Sequence, residues 1–255
     1  MKLFILTKKR LVIMAGCICA GFLSALFSLN SLGVLASGNK NKKLPIYRVD
    51  KKEKILSISF DAAWGNEQTQ TLLDILKDND VKSTFFLVGM WVDKYPESVK
   101  AISDAGHDVG NHSDTHPHLP QLTDEKMTSQ IEDCNNKIEK IIGKRPTLFR
   151  PPYGDYNNKV VEVTNNLKMH CIQWDVDSLD WKDPTPDEMQ NRIKTKIKPG
   201  SIILMHNGAK NTPTALPMIL KTIKEEGYTI VPISELIFTD NYTIGHDGTQ
   251  ISSNT

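Results

Sequence analysis

The sequence predicts an α/β fold in which about seven parallel strands are covered by helices. From Lys54 onward, short β-prone runs alternate with segments of helical periodicity. Most of the strand runs are close to continuously apolar, as expected where both faces of a sheet are covered. Residues able to do chemistry recur just past the ends of those runs, the rim on which α/β folds carry their sites. Closed on itself, such a chain is a (β/α) barrel one unit short of eight; left open, it is a doubly wound sheet.

The elements follow in order. Ile55 to Phe60 is a strand ending at Asp61, and Thr69 to Lys77 has helical periodicity. Ser83 to Val88 is an aromatic strand bounded by Gly89, and Pro96 to Ala105 is a helix stopped by Gly106. His107 to Asn111 is a short strand leading to His112-Ser113-Asp114-Thr115-His116. If the turn after Asn111 is helical, the i, i+4 spacing stacks both imidazoles on one face. Thr123 caps a long helix to Ile142, whose stripe of Met127, Ile131, Cys134, Ile138 and Ile141 belongs in the core, and Gly143 closes it. Thr147 to Phe149 is a strand ending at Arg150, Asn158 to Leu167 a helix, and His170 to Trp174 a strand ending near Asp175 to Asp177. Pro186 to Ile197 is a helix, and Ser201 to Met205 a strand that delivers His206. Thr214 to Glu226 is a helix, Thr229 to Val231 a last strand, and Ser234 to Ile237 a short helix.

The domain organisation is four-part: residues 1–36 a membrane segment, 37–53 a linker and lead-in, 54–238 the folded domain, and 239–255 a polar tail expected to be poorly ordered. Lys2, Lys8, Lys9 and Arg10 precede a nearly uncharged run to Ala36, long enough to span a bilayer. The charges predict that this N-terminus stays in the cytoplasm and that the domain is exported. A retained single-pass anchor is favoured over a signal peptide cleaved after Val34-Leu35-Ala36, because the apolar run exceeds the usual length. A net charge of +1 gives no ground for nucleic-acid binding, and a monomer is expected. Cys134 and Cys171 are expected to be free buried thiols, with no disulfide framework and no cysteine metal site.

Asp61, His112, His116, Arg150, the Asp177 to Asp180 segment and His206 all fall on the strand-end rim. Two imidazoles bind a divalent metal and leave places open for water and a substrate oxygen. Asp61 suits a general base if its orientation is fixed, and the two-pronged guanidinium of Arg150 suits that task. His206 suits a general acid, its charge favoured by Asp177 or Asp180. Pro151-Pro152-Tyr153-Gly154 is a stiff loop able to present the Tyr153 N–H to an oxyanion. Trp64, Tyr153 and Trp181 are candidates for a groove that takes sugar rings.

Four of these stretches together resemble the polysaccharide deacetylases of carbohydrate esterase family 4, whose shared unit is the NodB homology domain. They are His112-Ser113-Asp114-Thr115-His116, Arg150-Pro151-Pro152-Tyr153-Gly154, Asp177-Ser178-Leu179-Asp180-Trp181 and Leu204-Met205-His206. The likeness covers roughly Lys54 to Ile237, and with the Phe60 to Gly65 variant and the anchored N-terminus it looks most like the sporulation subgroup called PdaB. The resemblance implies a distorted (β/α) barrel and metal-assisted removal of N-acetyl groups from sugars of cell-wall peptidoglycan, in the spore cortex. It implies Asp61 as base, Arg150 as its orienter, His112 and His116 as ligands of zinc or a similar ion, His206 as acid tuned by Asp180, and Leu204 in the acetyl pocket. One position departs. The family's T-F-D-D-G run reads Ser59-Phe60-Asp61-Ala62 here, so the carboxylate that is the third metal ligand is missing.

Overall fold

The structure, a computed structural model, describes residues 42–253. The expected membrane segment (1–36) and the first five residues of the expected linker and lead-in (37–41) lie outside the described residues; no helix of the described residues is long and apolar enough to cross a membrane. The unit beginning at Lys43 carries all the elements below.

In chain order these are β1 (Arg48–Val49), β2 (Ile55–Ala62), α1 (Thr69–Asp78), β3 (Thr84–Leu87), α2 (Gly89–Lys94), α3 (Pro96–Asp104), β4 (Asp108–Asn111) and α4 (Asp124–Ile142). There follow β5 (Leu148–Phe149), α5 (Asn158–Asn166), β6 (His170–Cys171), β7 (Val176–Asp177), α6 (Pro186–Lys196), β8 (Ile202–His206), α7 (Thr212–Glu225), β9 (Thr229–Ile230) and α8 (Ile233–Leu236). A hairpin of β10 (Tyr242–Ile244) and β11 (Thr249–Ser252) ends the described chain. Caps behave as their chemistry dictates. The Thr123 hydroxyl accepts from Lys126 N at the start of α4, Gly143 closes it in the left-handed region, and Thr185 and Glu188 form a reciprocal capping box on α6.

Seven strands run in the order β6-β5-β4-β3-β2-β8-β7, all pairings parallel, and β9 pairs the first two residues of β2. The sheet is curled into a half-barrel, neither the closed barrel nor the flat doubly wound sheet. Strand β2, between β3 and β8, is its longest and sets its two faces. Leu56, Ile58, Phe60 and Ala62 pack outward with Leu72, Leu76, Val99, Leu216 and Ile219 of the surrounding helices. Ser57, Ser59 and Asp61 alternate onto the inner face, where the Ser57 and Ser59 hydroxyls donate to the carbonyls of Val231 (2.6 Å) and Ile203 (2.8 Å).

Two expectations need correction. The lead-in is part of the fold: Ile46 N donates to Cys171 O (2.8 Å) and Val49 N to Gly200 O (2.9 Å), so this segment spans from the β6 side to the β8 side across the gap in the sheet. Ile46 and Val49 are buried there. The tail expected to be poorly ordered instead forms β10 and β11, and β11 pairs in parallel with β1. Its anchor is polar, which is why hydropathy did not reveal it. The fully buried Gln250 donates to Phe238 O (2.7 Å) and accepts from Phe238 N (2.9 Å), satisfying both halves of its amide. Replacing it by alanine leaves both Phe238 groups without partners. Gln250→Ala is expected to cost about 1–3 kcal/mol, seen as a lower urea midpoint at an unchanged slope.

Candidate active site

Asp61 and His206 are register partners on the adjacent strands β2 and β8, and Ser59 pairs Leu204 one step below them. Parallel partners share a face, so base candidate, acid candidate and Leu204 all look into the half-barrel. Arg150 follows β5 and is wholly buried. Its Nη1 donates to Asp61 Oδ1 (2.7 Å), and its Nη2 to Ser59 Oγ (2.9 Å) and Gln173 O (3.1 Å). The guanidinium lies 4.2 Å from the Phe86 ring centroid. Burial alone would raise the Asp61 carboxyl, but Arg150 foremost, with His112 and His206, outweighs it and holds Asp61 below the usual carboxylate range.

The Arg150 carbonyl has a second task. His112 Nδ1 lies 2.7 Å from it, and since a carbonyl only accepts, Nδ1 carries the proton and Nε2 keeps its lone pair. That Nε2 lies 3.5 Å from Asp61 Oδ2. Two acceptors face each other, a place suited to a proton or a cation.

The histidine loop is not helical, as the i, i+4 argument assumed. Asn111 Oδ1 accepts from Ser113 N (2.7 Å), Ser113 takes φ +66° and His116 φ +59°, and the rings meet edge-on at 4.9 Å through this loop. Asn111 is fixed in turn, its Nδ2 donating to Ile131 O and Asn135 Oδ1 of α4, both at 2.8 Å. Asp114, between the histidines, pairs with Lys137, which also holds Asp93. His116 lies between Tyr153 (4.4 Å) and Trp64 (6.1 Å), and its buried Nδ1 has no partner among the described residues. Burial first, then the charge of His112, pushes its pKa down to about 4.

On the other side Asp180 is fully buried and accepts three bonds: from His206 Nδ1 (2.7 Å), His206 N (2.7 Å) and Thr212 Oγ1 (2.8 Å). Asp177 instead closes its own turn through Leu179 N (2.8 Å), so Asp180 is the residue that touches His206. Burial would lower the His206 pKa, but the bond and charge of Asp180 outweigh it and hold it above the ordinary value. Tyr153, Trp181 and Trp64 are the most exposed large apolar side chains among the described residues. Tyr153 takes φ +60° and stacks on His118 (4.3 Å), itself 3.1 Å from Asp155. Sequence reasoning gave no role to Ser59, Gln173, Asn135, Thr212 or Asn207, whose N–H donates to Asp61 O (2.9 Å). The serines of β2 alone left a signal, as polar residues alternating in an apolar run.

The donors fit a metal only in part. The 3.5 Å from His112 Nε2 to Asp61 Oδ2 approaches the ~3.3 Å between neighbouring donors on one tetrahedral ion. Yet no group of three His, Cys, Asp or Glu among the described residues is gathered as a metal site. Ala62, where the family resemblance places a carboxylate as third ligand, is packed in the outer core. An ion held by the two imidazoles would complete its shell with water or substrate.

The polysaccharide deacetylase family matches residues 48–172. A peptidoglycan-N-acetylglucosamine deacetylase of Bacillus cereus is 34% identical over 75% of this chain and 92% of its own length. The chain belongs to the polysaccharide deacetylase family. It is also 36% identical to the Bacillus subtilis protein YlxY and 37% to the peptidoglycan-N-acetylmuramic acid deacetylase PdaC of the same organism, spanning 60% and 40% of their lengths. Among solved structures, the Bacillus anthracis protein BA3943, a CE4 family pseudoenzyme, superposes with a TM-score of 0.74 at 40% identity, over 77% of this chain and 69% of that one. A mutant of BA3943 with restored enzymatic activity matches equally well, at 41% identity over 77% of this chain and 71% of that one.

The His206–Asp180 pair sets a pH dependence. A histidine whose pKa is raised by folding contributes stability that is complete below its unfolded value, ~6.5, and lost as pH rises through the folded value. Asp180→Asn removes the charge that outweighs burial. It is expected to lower the His206 titration midpoint, read by NMR of the imidazole nitrogens, and to flatten the fall of stability above neutral pH.

Proposed function

We propose that the chain is a hydrolase that removes N-acetyl groups from N-acetylated sugars of cell-wall peptidoglycan. The observation that carries this reading is the pairing of Asp61 with His206 on adjacent strands, each oriented by its own buried partner. Asp61, fixed through Oδ1 by Arg150, takes a proton from the attacking water with its other oxygen. The water oxygen bonds to the acetyl carbon, and the Tyr153 N–H stabilises the oxyanion that forms. His206, held by Asp180, gives its proton to the amide nitrogen as the C–N bond breaks, leaving acetate and a free amino sugar. A divalent ion on His112 and His116, zinc by family resemblance, would polarise the acetyl carbonyl and acidify the water. Leu204 lines the acetyl pocket, and Tyr153, Trp181 and Trp64 bear on the sugar rings. Residues 1–36 anchor this single-pass protein in the cell membrane with the catalytic domain outside, where it acts as a monomer. The setting is the spore cortex, as for the PdaB subgroup.

One observation favours a second reading. With Ala62 in the core, the chain supplies one metal ligand fewer than its family, and it is similar to a CE4 family pseudoenzyme. On that reading it is a membrane-tethered glycan-binding protein that keeps the cleft without turnover. Acetate release from peptidoglycan and chito-oligomers, with zinc and with chelator, separates the two. The hydrolase is expected to release acetate, to lose this with chelator or in His112→Ala, and to fall ~10²–10⁴-fold in kcat in His206→Ala. No release with any divalent metal overturns it in favour of the second. Ala62→Asp is expected to raise metal affinity ~10-fold or more on both readings, and to create activity from nothing only on the second.

A further inference from the structure

The loop that carries Asp180 has two faces. One presents Asp180 to His206; the other walls a solvent-open pocket of about 510 Å³. That volume is in the range of small-molecule sites, roughly 300–1,000 Å³. Leu179, Lys182 and Asp183 line it from the loop, and Glu188 and Arg192 from α6. The set is two cations and two anions, and each has bonding capacity left. Among the described residues, the Arg192 guanidinium makes one hydrogen bond, from Nε to Asp177 O (2.6 Å). Lys182 Nζ rests 4.6 Å over the Trp181 ring, and the Asp183 carboxylate has no partner among the described residues. Glu188 uses only Oε2 in its capping box, leaving Oε1.

A bare anion would meet two carboxylates in this pocket, and a bare cation two bases. A neutral sugar would leave all four charges unanswered, whereas exposed aromatic rings lie beside the histidines. The charge pattern is complementary to a group with a carboxylate and an ammonium a few bonds apart. A cell-wall glycan carries such a group in the peptides attached to its sugars. We propose that this pocket takes the charged part of that peptide, with carboxylate on Lys182 and Arg192 and ammonium on Asp183 and Glu188. The peptide then registers the glycan strand against the loop that holds the acid. Peptide-bearing glycan, not bare chito-oligomer, is the preferred ligand. The inference rests on the cell-wall reading above but needs no turnover.

Calorimetric titration of the full chain in detergent tests it, using a disaccharide–tetrapeptide from peptidoglycan and the same disaccharide stripped of peptide. The peptide-bearing form is expected to bind about tenfold more tightly, as several partly exposed ion pairs would give. The double substitution Lys182→Gln, Asp183→Asn is expected to abolish that advantage and leave the stripped disaccharide unaffected. Both positions are exposed and Asn tolerates the left-handed backbone of Asp183 (φ +54°), so thermal unfolding should match the parent. Equal binding of the two disaccharides, or equal weakening of both by the variant, overturns the pocket while the glycan reading stands. Binding of neither overturns both.

Discussion

A fully buried guanidinium inside a half-barrel is a constraint that most of the site answers to. Removing Arg150 from water is costly, and the cost is met only where good geometry and further hydrogen bonds surround the charge. Asp61 supplies the countercharge, Ser59 and Gln173 the remaining acceptors, and Phe86 a ring face. One donor, Nε, has no partner among the described residues. The same residue's carbonyl fixes the tautomer of His112. Thus one arginine sets the orientation of the base candidate through its side chain and of a metal-ligand candidate through its backbone. A lysine could replace the charge but not the fork that reaches Asp61 and Ser59 together.

The acid half is built on a different economy of bonds. Among the described residues Asp180 pairs with no charged group except the histidine it serves, and it is satisfied by two N–H groups and a hydroxyl. The halves are joined by backbone: β2 and β8 pair through Asp61 and His206, and Asn207 N reaches Asp61 O. Thr69 donates to the Asn207 side chain, tying α1 to the same junction. Distances across the cleft are therefore set by sheet register, which a single side-chain change does not shift.

Local chemistry made much of this legible in sequence. Strands and helices announced themselves where period and caps agreed, as at Thr123 and Gly143, and the motifs marked the rim residues. What stayed hidden depends on distant partners. Ile46 and Val49 are too short a run to read as structure until the sheet leaves a gap for them. The C-terminal hairpin is held by Gln250, a residue that local pattern assigns to solvent. The non-helical path of the loop after Asn111 is hidden in the sequence for a related reason. Its shape is set by the Asn111 side chain, and Asn111 is held by α4, which follows later in the chain.

Ala62 shows why a preserved cleft and a working cleft are separate matters. Its side chain lies in the outer apolar layer, where an apolar residue adds to packing and a buried carboxylate would need a partner for its charge. The two dyads need nothing from that position. Arg150 is balanced by Asp61, and Asp180 is satisfied by His206 and Thr212, with no ion required to keep either in place. Neither dyad therefore depends on a metal for its geometry. Absence of that carboxylate leaves the sheet, the base candidate and the acid candidate standing, and bears only on how tightly the two imidazoles would hold a cation. Occupancy at His112 and His116 is what separates a hydrolase from a binder, because among the described residues nothing outside those two imidazoles and Asp61 is placed to hold an ion there.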